Sequence, residues 1–268
     1  MSHYQRIACL STEAVETLYA LGAEDVIAGI SGFTVRPPRA REEKTKISGF
    51  SSTNLERILA VEPDLVIGFC DMQADICRDL VKAGIEVHQF NQRTVDGILR
   101  MIAVLAALVQ REEAGKLLIA SLRADIAAAQ ARAMSWTRKP VIYFEEWNDP
   151  LMSGIGWAAE LIAIAGGTDA FPELSRQPGA KERIIADSRD VVARAPDIIL
   201  ASWCGKKFQP TQLAARPGWD AIPAVKNQML FEIKSPDILS PGPAAITEGL
   251  RQISDIIARW QHLQEQQT

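Results

Sequence analysis

Short apolar, often β-branched runs alternate along the chain with segments whose apolar positions recur every three or four residues. In the first hundred residues the runs lie at 7–10, 26–30, 65–69 and 86–90, each bounded by turn-forming residues and expected as a strand. Between them the spacing predicts helices over 12–21, with Ser11 or Thr12 as its cap, over 54–61, and over 73–83. Pro63 should end the second of these, because the residue before a proline is pushed out of the right-handed helical region. Strands that alternate with helices in this way favour a parallel sheet covered by helices.

The pattern then changes. From about Thr94 to Trp136 only helical periodicity remains, and Ala114, Leu117, Leu118, Leu122, Ile126 and Ala129 fall on one stripe. A helix over 111–136 spans roughly 39 Å at about 1.5 Å per residue. Strand and helix signals resume after Pro140: strands at 141–144, 198–202 and 229–233, and a helix around 157–165. A last amphipathic helix follows Pro243 and carries Ile246, Leu250, Ile253, Ile257 and Trp260 on one face.

The two halves echo each other. Residues 52–68 and 187–201 both read as an amphipathic helix, a Pro-Asp pair (Pro63-Asp64, Pro196-Asp197) and a short apolar strand. Upstream, Leu-Tyr-Ala-Leu-Gly-Ala-Glu-Asp at 18–25 is matched by Ile-Ala-Ile-Ala-Gly-Gly-Thr-Asp at 162–169. The expected fold is therefore α/β: two Rossmann-like αβ lobes joined by a single long α-helix, with a ligand cleft between the lobes. The expected divisions are an N-terminal lobe over 1–105, a connecting helix over 106–138 and a C-terminal lobe over 139–268 with the final helix.

Composition narrows the function classes. The 268 residues are 47% apolar and 23% charged, ordinary values for a globular protein. A formal charge of −4 and a pI near 5.5 give no footprint for nucleic acid. No apolar run approaches the roughly 20 residues needed to cross a bilayer. The first residues show no charged segment followed by an apolar one, so as written the chain is expected to be cytoplasmic, or periplasmic if a leader precedes it. Cys9, Cys70, Cys77 and Cys204 have no paired spacing and are expected as free thiols.

With the Pro-Asp repeat, the long helix and the final helix in view, the chain resembles the class III substrate-binding proteins. This is the helical-backbone family that serves ABC importers of cobalamin, haem and iron-siderophores. The resemblance covers about residues 6–260 and rests on Asn54-Leu-Glu-Arg-Ile-Leu-Ala-Val-Glu-Pro-Asp-Leu-Val-Ile, on Glu112-Glu-Ala and on Ala195-Pro-Asp-Ile-Ile. Tyr143-Phe-Glu-Glu-Trp-Asn-Asp-Pro with Ser153-Gly154 is most similar to the cobalamin-binding branch. The resemblance implies a monomeric, non-enzymatic receptor for a small metal chelate, here a corrinoid, with an ABC permease as partner. The alternatives are a ferric-siderophore or haem receptor, or an intracellular corrinoid-handling protein with no permease. The family presents one glutamate per lobe to permease arginines. The corresponding positions here hold Asp75 and Asp190, which keep the charge and lose a methylene of reach.

In open α/β sheets ligands gather outside the carboxyl ends of the strands. Those ends are expected to hold Phe33, Phe69, Trp147 and Trp203, with Trp157 nearby, and aromatic faces suit a flat macrocycle. Glu145, Glu146 and Ser235 are expected to hydrogen-bond the ligand's edge, and Arg36 to meet an anionic group. Trp219 and Trp260 sit on helical patterns and are expected in the core. Two adjacent glutamates on a strand point to opposite faces, which argues against an acid–base dyad. His3, His88 and His262 share no ligand spacing, so no metal site and no catalytic cofactor are expected from the protein itself. Cys70 and Cys204 alone do not make the matched thiol set of a cluster enzyme, and Lys206 with Lys207 is no phosphate site by itself.

Overall fold

The computed structural model describes residues 3–49 and 53–266; Ser52, the first residue of the repeat, lies outside them. The chain divides into two compact units. The first comprises the residues up to Gln92 together with Asp96–Leu122, and the second comprises Arg93–Val95 together with the residues from Arg123 onward.

The first unit is a parallel sheet of β1 (Ile7–Cys9), β2 (Ile27–Ser31), β3 (Thr45–Ser48), β4 (Leu65–Phe69) and β5 (Glu86–Phe90), in the order β3-β2-β1-β4-β5. Helices Thr12–Ala20, Leu55–Leu59 and Ala74–Lys82 form the crossovers. Asn54 starts the second of these, its side-chain oxygen accepting from the backbone N–H of Glu56 at 2.8 Å and Arg57 at 3.3 Å. Ser11 precedes the first helix but its hydroxyl does not cap it. A core of Ala8, Leu10, Ile47, Ile58, Val66 and Leu80 lies beneath. Strand β3 has no counterpart in the sequence reading. It is an edge strand that buries only Ile47 fully, amid charged neighbours, so no apolar run announces it.

The second unit holds β6 (Val141–Asn148), β7 (Leu151–Ser153), β8 (Thr168–Asp169), β9 (Ile198–Ala201) and β10 (Leu230–Glu232). Strand β6 pairs parallel with β9 on one side. On the other it meets β8 beside its amino end and antiparallel β7 beside its carboxyl end. The path β8-β6-β9-β10 thus repeats β2-β1-β4-β5. Trp157, Trp219, Trp260, Tyr143, Phe144 and Phe171 are the largest fully buried side chains, as expected for Trp219 and Trp260. The final helix opens with a π turn, Ala245–Gly249, and continues as Leu250–Gln266.

The repeat has a physical cause in both units. Glu62 and Ala195, each at φ 46°, reverse the chain after a helix, and the buried prolines Pro63 and Pro196 follow them. Asp64 then accepts from the N–H groups of Gln5 (2.6 Å) and Arg6 (3.0 Å) at the start of β1. Asp197 accepts from Val141 N–H (2.9 Å) at the start of β6. Each aspartate therefore fixes one strand's register to its neighbour. The upstream echo is the same helix end twice: Ala23 N–H donates to Leu18 O and Gly167 N–H to Ile162 O, both at 2.9 Å, around the left-handed Gly22 and Gly166. Removing a charged acceptor from strand-end N–H groups costs about 1.5–3 kcal/mol. Asp197→Ala is expected to lower the urea midpoint accordingly, with the more exposed Asp64→Ala near the lower end.

The segment expected as a separate connecting helix over 106–138 is shared instead. Helix Val95–Leu108 ends at a turn with Gln110 at φ 55°, and helix Glu112–Ala133 follows. Gly115 packs closely on Ala106, tying its start to the first unit. Arg132 pairs with Asp255 at 2.7 Å, tying its end to the second. No helix of the described residues is long and apolar enough to cross a membrane.

Candidate functional site

The carboxyl end of β6 organises the second unit's candidate site. Its register shifts between Glu145 and Trp147, so Glu146 is the extra residue of a bulge. Glu145 is fully buried and accepts from Arg216 at 2.5 and 2.9 Å and from Trp203 Nε1 at 2.9 Å. The Arg216 guanidinium lies 4.4 Å from the centroid of Trp219. Glu146 is held by Arg183 at 2.5 and 3.0 Å, and Arg183 also donates to Ser153 O at 2.7 Å.

These contacts revise several expectations. Both glutamates are engaged by arginines of their own unit; Glu145 is fully buried and closed to a ligand, whereas Glu146 keeps part of its side chain exposed. Trp203 is buried because its N–H needs Glu145 and its ring packs edge-on against Phe208 at 5.2 Å. Trp157 is also a core residue, its Nε1 donating to Ile238 O at 2.7 Å. Trp147 differs. It is half-buried, its N–H is fixed by Asp149 O at 2.7 Å within the β6–β7 turn, and Lys206 Nζ lies 4.2 Å from its ring centroid. Ser235 is half-buried, with its hydroxyl 3.5 Å from that of Ser202.

In the first unit Phe33, on the loop after β2, is 60% exposed, and Met72, after β4, is 55% exposed. Phe69 is buried instead; its N–H donates to Gln73 Oε1 at 2.9 Å, which locks the end of β4. Arg36 pairs with Glu16 at 3.3 Å. It is Arg41 that organises this loop, donating to Gly32 O at 3.1 Å and Thr34 O at 2.9 Å. Glu13, just beyond β1, is buried, and its Oε1 and the Ser11 hydroxyl have no hydrogen-bond partner. Burial pushes the Glu13 carboxyl up to about 7.

Asp75 and Asp190 occupy the first turns of helices Ala74–Lys82 and Arg189–Arg194, and both are exposed. Asp75 also pairs with Arg78 at 2.9 Å. His88 is half-buried on β5, its ring 4.3 Å from that of Phe90, and burial pulls its pKa down. Among the described residues no group of three or more His, Cys, Asp or Glu could hold a metal ion. None of the four cysteines forms a disulfide.

The partly exposed aromatics at strand carboxyl ends, Phe33 in the first unit and Trp147 in the second, fit a binding surface on each. The sequence profile described as Periplasmic binding protein matches residues 7–236. The chain belongs to that family. A vitamin B12-binding protein of Vibrio campbellii is 27% identical over 202 residues, 74% of this chain and 70% of that protein. A cobalamin-binding protein of Halobacterium salinarum is 28% identical over 204 residues, and the match spans 71% of this chain but only 54% of that protein. Among solved structures, the periplasmic vitamin B12 binding protein of Vibrio cholerae superposes with a TM-score of 0.79, covering 96% of this chain and 98% of that one at 20% identity. A periplasmic heme-binding protein from Roseiflexus sp. RS-1 gives 0.79, covering 94% and 98% at 23% identity. At such identities the structural likeness speaks for the fold alone.

Sequence reasoning missed Arg183, Arg216, Arg41 and the contact of Lys206 with Trp147. The available signal was Glu145-Glu146 directly after an apolar strand run, since a carboxylate carried into the interior requires a partner.

Proposed function

We propose that the chain is the receptor of an ABC importer and binds a corrinoid as cargo, without chemical change. The observation that carries this reading is that Trp147 and Phe33 keep exposed aromatic surface at strand carboxyl ends, in a chain whose curated relatives are named for vitamin B12 and cobalamin. On the first unit Phe33 offers an apolar face for such a ligand, and on the second Trp147 offers one, with the Ser235 hydroxyl suited to an amide edge. Arg183 and Arg216 act indirectly by neutralising Glu146 and Glu145, so that the bulged strand end is rigid before ligand arrives. Asp75 and Asp190 are the groups that meet basic side chains of the permease, since each carries its charge in an exposed first helical turn.

The test is equilibrium dialysis against cyanocobalamin, read by corrin absorbance. Trp147→Ala and Phe33→Ala are each expected to weaken binding by about 1–3 kcal/mol, the range for an aromatic anchor. Affinity unchanged in both variants would contradict the assignment of these surfaces.

A further inference from the structure

The acidic groups at the carboxyl end of the second unit's sheet are nearly all neutralised by groups of that unit: Glu145 by Arg216, Glu146 by Arg183 and Glu232 by Lys234. Lys206 is the exception on the basic side. It is exposed on the loop that follows β9, and its ammonium rests on the Trp147 ring, 4.2 Å from the centroid, and 3.5 Å from Asn148 Oδ1. Among the described residues no carboxylate lies within ion-pair distance of it, the neighbouring Asp149 included, and exposed Lys207 adds a second charge beside it. The indole is held by its bond to Asp149 O, whereas a lysine stem is flexible. The pair therefore offers a fixed planar face together with a cation that can swing to its rim.

On the corrinoid reading above, we propose that Lys206 makes the protein select corrinoids that carry a peripheral anion, the phosphodiester of the nucleotide loop, over corrinoids that lack it. A flat macrocycle meeting the indole displaces the ammonium from the ring. The displaced charge then loses its cation–π contact and regains a partner only if the ligand supplies an anion within reach. A ligand without one leaves the ammonium to water and forgoes that gain.

The experiment compares cyanocobalamin with dicyanocobinamide, which lacks the nucleotide and its phosphate, in equilibrium dialysis with the wild type, K206Q and K206R. The proposal expects the wild type to favour cyanocobalamin. It expects K206Q to reduce that preference on the order of tenfold, the size of one charge-assisted contact, and K206R to retain most of it. Raising the salt from low to physiological should shrink the wild-type preference and leave that of K206Q unmoved. If K206Q keeps the wild-type ratio, the selection by Lys206 is overturned and corrinoid binding stands. If the folded wild type retains neither corrinoid, the corrinoid reading itself is overturned, and this inference with it.

Discussion

Arg216→Ala lowers the stability of the second unit by about 3–5 kcal/mol, because it strands a carboxylate where no water can reach it. Glu145 has no exposed surface, and among the described residues Arg216 is its only cationic partner, at 2.5 and 2.9 Å; Trp203 supplies a single further donor. The loss extends beyond one pair, since the guanidinium also packs on Trp219 and the carboxylate fixes Trp203. Replacing both charges with apolar side chains of similar length, Glu145→Met with Arg216→Met, should recover much of the loss, because the expensive item is the unpaired charge rather than the missing attraction. Urea unfolding of the two variants measures this. Equal midpoints for the wild type and Arg216→Ala would show that the pair does not hold the strand end.

Glu13 gives the second large effect, and its sign is opposite to that of an ordinary salt-bridged carboxylate. Burial raises its pKa from 4.5 to about 7 in the folded chain. The folded state then binds the proton more tightly than the unfolded state. The stability from this group is complete below about pH 4.5 and is lost as the pH rises through about 7, by something on the order of 3 kcal/mol. Nearby Glu16 reinforces the upward shift, and the hydrogen bonds to Glu13 from its own backbone N–H and from the Thr12 hydroxyl oppose it. Glu13→Gln keeps the shape and removes the titration, so its stability should exceed that of the wild type at pH 8 and approach it at pH 5. Parallel stability–pH curves for the two proteins would exclude a proton on Glu13 as the cause.

The parts of the fold that were legible in the sequence are those whose signal is local. Strands β4 and β5 are bounded as their apolar runs and turn residues suggest, and the repeated Pro-Asp marks the same strand-locking aspartate in both units. Strand β3 escaped because an edge strand needs only one buried side chain, Ile47. Strand β6 runs four residues beyond its apolar stretch, since its polar end is sustained by the β7 hairpin and by buried ion pairs rather than by hydrophobicity.

The candidate site was legible as a place and not as a set of contacts. Trp147, Trp157 and Trp203 are alike in sequence, yet what separates them is where each indole N–H finds its acceptor. Asp149 O lies in an exposed turn, whereas Ile238 O and Glu145 lie in the interior. The arginines that take up Glu146 and Glu145 lie 37 and 71 residues further on, too distant for any local pattern to announce.

The measurement that bears most directly on the central claim is the cargo itself. Purified protein is mixed in parallel with cyanocobalamin, haem and a ferric siderophore, separated by size, and scanned for visible absorbance in the protein peak. The account predicts corrin absorbance at about one per chain, retained in preference to the other two chelates. A peak that carries haem or siderophore colour and no corrin would contradict it.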